Sequence, residues 1–160
     1  MNQEIRIKET SSINIKNGFI INGFPSTGLT SSMSTELIIN TSNFQLAGIV
    51  DSDYFPPISI IKNGAPNYPT RIFVNNDLKT AIFSSHIVLD VSLHRNVARK
   101  ILNWADEKKC STIISSATIR TDSEEIMGIA STGIARGKLV DSGIKIVENA
   151  AIPGIPGVLL

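Results

Sequence analysis

A glycine turn set between an apolar run and a helical pattern constrains this chain more than any other feature. Asn17-Gly18-Phe19-Ile20-Ile21-Asn22 reads as a buried strand. Gly23-Phe24-Pro25-Ser26-Thr27-Gly28 reads as the turn that ends it, and Leu29 to Ile39 as a helix. Spacing of three to four residues predicts Leu29, Met33, Leu37 and Ile38 on the packed face of that helix. Strands then alternate with helices over much of the chain. The expectation is a single α/β domain over residues 1–160, with a mostly parallel or mixed central sheet flanked by helices.

The remaining elements follow from the same reading. Ile5-Arg6-Ile7-Lys8 alternates like an edge strand. Gln45 to Val50 is a short apolar strand ended by Asp51-Ser52-Asp53. Ile58 to Ile61 and Thr70 to Val74 are strand-like, and Asn75-Asn76-Asp77 turns the chain into Leu78 to Phe83. Residues Ile58 to Phe83 are expected to form an inserted β-hairpin with exposed edges. Ser92 to Lys109 is the strongest helix, with Ser92 as cap and Leu93, Val97, Ile101, Leu102 and Ala105 as the buried stripe. Lys108-Lys109 complements its C-terminal dipole. Thr112-Ile113-Ile114 reads as a buried strand, followed by a strand at Ile126 to Ala130, a helix at Gly133 to Val140 and a strand at Ile144 to Val147.

Composition removes several classes. The chain has 160 residues, 42% hydrophobic and 18% charged, which is globular rather than disordered. Its formal net charge of +1 favours neither nucleic acid nor an anionic membrane as partner. Met1–Thr10 is polar and charged, and no run of about 20 apolar residues is present. A cytoplasmic protein is therefore expected. The single cysteine, Cys110, excludes an intrachain disulfide and is expected to be buried and inert.

The motifs that carry chemistry are incomplete. A phosphate-binding loop needs G-x-x-x-x-G-K-[ST]. Gly23, Gly28 and Thr30 match it, but Leu29 stands where the lysine must be. The dinucleotide pattern fails because Pro25 holds the place of its second glycine. A nucleophile elbow around Ser26 has Gly28 after it but Phe24 before it. What remains at Gly28, Leu29 and Thr30 is a helix start whose free N–H groups suit an anion, weighed against a close-packed strand-to-helix turn, which is favoured. Gly133 to Lys138 is one residue short of a phosphate loop, with Leu139 in place of the hydroxyl residue. His86 and His94 have no third ligand at metal spacing. Asp51 and Asp53 read as turn formers, and Glu124-Glu125 as a solvated face. No catalytic, cofactor or metal site is expected.

Four segments instead carry a resemblance. Gly23-Phe24-Pro25-Ser26-Thr27-Gly28-Leu29 with its small-residue helix resembles the opening motif of the proteasome assembly chaperone superfamily, in its archaeal branch. Asp51-Ser52-Asp53-Tyr54-Phe55-Pro56-Pro57, the single Trp104 late in a central helix, and the turn and leucines of Ile152 to Leu160 are similar too. The resemblance spans about residues 18 to 160 and includes uncharacterised relatives with ATP-grasp or ligase labels. It implies a nucleoside-phosphorylase-like α/β sandwich without established catalytic residues. It also implies a homo-oligomer that binds proteasome α subunits and assists assembly or regulation. Some relatives dock through a C-terminal hydrophobic–tyrosine–any tripeptide, whereas the tyrosines here are Tyr54 and Tyr68.

Two functional classes follow. The first is a chaperone-like protein-binding module. The second is a small-molecule or nucleotide-binding, ligase-like enzyme with its pocket at the C-terminal ends of the strands. Tyr68, Ile72 and Phe73 of the hairpin are the expected oligomer contact. The purely apolar end, Val158-Leu159-Leu160, is expected to begin a helix over one face of the sheet, as in the N-terminal part of a longer chain, with a tail that docks natively on the core as the rival reading.

Overall fold

A computed structural model describes residues 4–26, 28–120 and 125–160. Thr27 of the turn and Glu124 of the acidic pair lie outside the described residues. In chain order the elements are β1 (Arg6–Glu9), β2 (Phe19–Gly23), α1 (Thr30–Thr41), β3 (Gln45–Asp51), β4 (Ile60–Lys62), β5 (Ala65–Asn67), β6 (Thr70–Asn75) and β7 (Thr80–Ser85). They continue with α2 (Val91–Glu107), β8 (Thr112–Ser115), β9 (Met127–Gly128), α3 (Gly133–Asp141), β10 (Lys145–Ile146) and α4 (Gly154–Leu159).

Six strands form one sheet in the order β1-β3-β6-β7-β2-β8. The pairings from β1 through β7 are antiparallel, while β2 runs parallel to both β7 and β8. The sheet is thus mixed. In the parallel half α2 carries the chain from β7 to β8, because a helical crossover returns a strand in the same direction. The antiparallel half grows from β6 and β7, a hairpin turned at Asn75 to Lys79, where Asn75 Oδ1 accepts the Leu78 N–H at 3.0 Å.

The hairpin is not an edge insertion as its sequence suggested. β6 lies between β3 and β7, so its backbone is paired on both sides. Ile72 is fully buried and Phe73 half-buried, and only Tyr68 of the three expected contact residues is exposed. Ile72 therefore belongs to the protomer core and is closed to a partner. The inserted unit is only the short β4–β5 hairpin, a separate two-stranded sheet. β4 starts at Ile60, and Ile58 is left exposed in the loop before it.

The two faces of the main sheet differ sharply. Side chains alternate along a strand, so Ile72, Val74, Ala81, Phe83 and Ile20 share one face. On it they meet Leu93, Val97, Ala98, Ile101 and Trp104 of α2, with the Phe83 and Trp104 rings edge to face at 5.2 Å. This is the dry core. Asp90, not Ser92, caps α2: its Oδ1 accepts the Ser92 N–H at 2.8 Å. Hydrogen bonding from the Ser92 side chain, and then from its N–H, holds the Asp90 carboxyl below the usual carboxylate range. The helix ends as Lys109 turns left-handed and the Cys110 N–H reaches back to the Ala105 carbonyl at 2.8 Å. Leu102, expected on the buried stripe, is 41% exposed, and Ala98 and Trp104 take part in its place.

α4 packs against α2, with Ile155 buried and Val158 and Leu159 partly covered. It begins at Gly154 and lies over a helix, rather than beginning at Val158 over the sheet. β8 is an edge strand with Ile114 half-exposed, because only β2 pairs with it. β9 covers only Met127–Gly128, pairs with β10 alone, and leaves Ile126 exposed. Cys110 is half-buried. Its thiol donates to the Gly18 and Thr112 carbonyls, and burial pushes its pKa up.

Candidate functional site

The other face of the sheet carries Arg71, Phe73, Ile82, Ser84, Ile21 and Gly23, and α1 lies across its upper end. α1 is turned opposite to expectation. Its buried residues are Ser31, Ser32 and Thr35, while Leu29, Met33 and Leu37 are 57%, 70% and 66% exposed. Ile38 is half-buried. The reason is distance. A methyl group on Gly23 would lie 2.5 Å from the Phe83 carbonyl oxygen and 2.6 Å from Thr35 Oγ1. A helix seated that low accepts only small side chains beneath it, and leucine does not fit.

The hydroxyls beneath α1 are all engaged. Ser31 Oγ donates to the Ser116 carbonyl at 2.6 Å, and Ser32 Oγ to the Ser85 carbonyl at 2.9 Å. Thr35 Oγ1 bonds back to the Ser31 and Ser32 carbonyls at 2.9 and 3.0 Å. Fully buried Asn22 donates to Ser115 Oγ at 2.8 Å and accepts the Phe24 N–H at 3.3 Å. These bonds gather the C-terminal ends of β2, β7 and β8 around the start of α1, where open α/β sheets hold ligands.

At the expected anion turn, Gly28 has φ +84°, and Leu29 precedes the first helical residue without a side-chain cap. Thr30 Oγ1 and Thr118 Oγ1 stand 2.9 Å apart. The three residues are brought together at the helix start, with Leu29 and Thr30 exposed. Arg71 and Lys62 are engaged further along α1, at Glu36.

Glu36 is the centre of a charged cluster that sequence reading missed. Its Oε1 lies 3.1 Å from His86 Nε2 and 3.8 Å from Arg71 NH2, and its Oε2 lies 3.5 Å from Lys62 Nζ. Ser84 Oγ donates to the same carboxylate at 3.3 Å. Arg71 is buried, its guanidinium lies over the Phe73 ring at 5.1 Å, and its NH2 is 3.3 Å from His86 Nε2. The signal was present in outline. Glu36 is the one acid in a helix of uncharged residues, and Arg71 the one charge in an apolar strand. Their register across the fold was not readable from the chain.

The other candidates disperse. His94 Nε2 meets the Leu89 carbonyl at 3.2 Å, in a different place from His86. Asp51 and Asp53 both face Arg6, at 3.6 and 2.6 Å, and the Arg6 hydrogen bond holds the Asp53 carboxyl below its usual range. Glu125 pairs with Lys145 at 3.0 Å on the surface. Among the described residues, no group of three or more His, Cys, Asp and Glu could hold a metal, and no helix is long and apolar enough to cross a membrane. A cavity of about 990 Å³ opens beside the loop after β8, lined by Ile119, Arg120, Met127 and residues 145–149. A groove of about 460 Å³ follows the Asp51 to Ser59 segment and is closed by Tyr68, Pro69 and Thr70.

Comparison with known proteins places this arrangement. Residues 20–160 match the PAC2 family. The chain is 26% identical, over its full length, to an uncharacterised protein of Methanocaldococcus jannaschii, of which it covers 66%. It is similar in structure to Pyrococcus furiosus PbaA, described as an archaeal homolog of proteasome-assembly chaperone, with a TM-score of 0.82 and 26% identity over 96% of this chain and 65% of that one. Pyrococcus furiosus PbaB, described as an archaeal proteasome activator, shares the fold with a TM-score of 0.72 at 20% identity, over 99% of this chain and 74% of that one. The chain therefore spans about two thirds of the length of the curated relative and of PbaA.

Proposed function

The chain belongs to the PAC2 family, and on that premise we propose that it is a chaperone-like protein-binding module that associates with proteasome α subunits and assists their assembly or regulation. The observation that carries this reading is the likeness to PbaA over nearly the whole chain. The spent hydroxyls at the ends of β2, β7 and β8 support it as well. Ser31 and Ser32 donate to backbone carbonyls, and His86 and His94 face other groups. A nucleophile needs a base within hydrogen-bond reach, whereas among the described residues the hydrogen bonds of Ser31 and Ser32 run to backbone carbonyls and to Ser116 Oγ.

The test is capture of purified proteasome α subunits, from the same organism, by the immobilised protein. Stoichiometric capture, with faster formation of α-rings in its presence, is the expected result. Neither capture nor a change in ring formation would overturn the reading. A second reading, as a nucleotide-binding ligase-like enzyme, draws on the 990 Å³ cavity and its Arg120 and Lys145. A rise in melting temperature with ATP that is lost in Arg120→Ala would favour it.

A further inference from the structure

We propose that the groove of about 460 Å³ between the segment after β3 and the loop before β6 takes an extended, proline-containing segment of a partner protein that carries a basic residue.

Its walls are rings. Phe55, Pro56, Pro57, Ile58, Tyr68 and Pro69 line it, with Tyr68 and Ile58 55% and 49% exposed. The segment is built in advance. Ser52 Oγ donates to the Glu4 carbonyl at 2.8 Å, the Phe55 N–H donates to the Ser52 carbonyl at 3.1 Å, and the Ile58 N–H donates to the Pro56 carbonyl at 2.8 Å. Pro56, Pro57 and Pro69 fix their own φ, so little ordering is left for a ligand to supply.

Those same bonds decide how a peptide can be held. From Phe55 to Ile58 two N–H groups are engaged inside the segment and the two prolines have none. The wall therefore cannot add a strand by main-chain pairing. What it offers is flat apolar surface, with hydroxyls from Tyr68 and Ser59, which is the chemistry that receives a polyproline II segment.

Charge selects the flanking residue. Asp51 and Asp53 stand at the start of the segment and share one guanidinium, that of Arg6, at 3.6 and 2.6 Å, and exposed Glu4 acts on it too. Three carboxylates against one cation leave an excess of negative charge beside the apolar wall, which favours a basic side chain and repels an acidic one.

The experiment titrates the purified protein into a fluorescein-labelled peptide of prolines and leucines flanked by arginines. One control peptide replaces the arginines by glutamates and the other replaces the prolines by alanines. Saturable binding that weakens with added salt is expected, with each control bound about tenfold more weakly or worse. Tyr68→Ala and Ile58→Asp alter exposed side chains and should keep the circular dichroism of the parent while each weakens binding about tenfold. Asp53→Asn should narrow the gap between the arginine and glutamate peptides. Absence of binding at millimolar protein, equal binding of either control, or unchanged affinity in both Tyr68→Ala and Ile58→Asp overturns the proposal. So does a fall in sedimenting mass of Tyr68→Ala without peptide, since a second copy would then fill the groove. Peptide binding by a protein that captures no α subunit refutes only the proteasome reading, and capture without peptide binding refutes only this one.

Discussion

Thr35 sits so close above Gly23 that a single methyl group on the glycine would lie 2.6 Å from the threonine hydroxyl. The same methyl would lie 2.5 Å from the Phe83 carbonyl, which is backbone and has no rotamer to yield. The helix–sheet distance on this face is therefore fixed by two residues, and the orientation of α1 follows from it. Gly23→Val should destabilise the fold by about 3 kcal/mol or more, as overpacking in a closed site does. Urea unfolding measures it, and a variant that unfolds at the parent's midpoint would show that α1 can lift off the sheet.

α1 should respond to substitution in reverse of an ordinary amphipathic helix. Leu37→Ser removes a side chain that is 66% exposed and should change stability by no more than about 0.5 kcal/mol in the isolated protomer. Ser32→Leu puts a large side chain where 8% of the residue is exposed, and should cost about 1–3 kcal/mol. Paired denaturation curves at low protein concentration decide between this pattern and the usual one.

Glu36→Gln keeps the shape of the side chain but leaves the buried Arg71 guanidinium facing a neutral amide. A loss of about 1–3 kcal/mol is expected, given that Glu36 is still partly open to water. Combining it with Arg71→Met should cost less than the sum of the two single changes, because both break one interaction. Strict additivity in that double-mutant cycle would mean that the pair is not coupled.

Glu9 carries a pH dependence. Burial alone would raise its pKa, but hydrogen bonds from Lys108 Nζ at 2.7 Å and Trp104 Nε1 at 2.8 Å outweigh it and hold the carboxyl below its usual range. A lowered folded-state pKa stabilises above the unfolded value of about 4.3 and loses that contribution as pH falls through the folded value. Melting followed by Trp104 fluorescence should therefore fall between about pH 5 and lower pH more steeply in the parent than in Glu9→Gln. At neutral pH the variant should be less stable by about 1 kcal/mol. Parallel pH profiles would remove Glu9 from this role.

Lys62→Glu should free the β4–β5 hairpin from α1 by placing two carboxylates together. The main sheet does not depend on that hairpin, so the global midpoint should shift by under about 1 kcal/mol. Hydrogen exchange of residues 60–67 should nevertheless rise. Unchanged protection there would show that the hairpin is held by other contacts.

What the chain determined by itself were the local commitments. The run Phe19 to Gly23, the Gly-Pro turn and the long stripe from Leu93 to Ala105 each specify a strand, a turn or a helix through side-chain period and backbone freedom. Those terms act over a few residues, and the α/β class follows from their order. The tertiary structure decided which side of each element is inside. Leu29, Met33 and Leu37 have the period of a buried face, but the distance set by Gly23 admits only Ser31, Ser32 and Thr35 beneath α1. Ile72 and Phe73 read as an edge until β3 takes the open side of β6. Glu36 and Arg71 are 35 positions apart and meet only because β6, β7 and α1 converge. Steric fit and pairing between distant segments are properties of the assembled chain, and no local pattern encodes them.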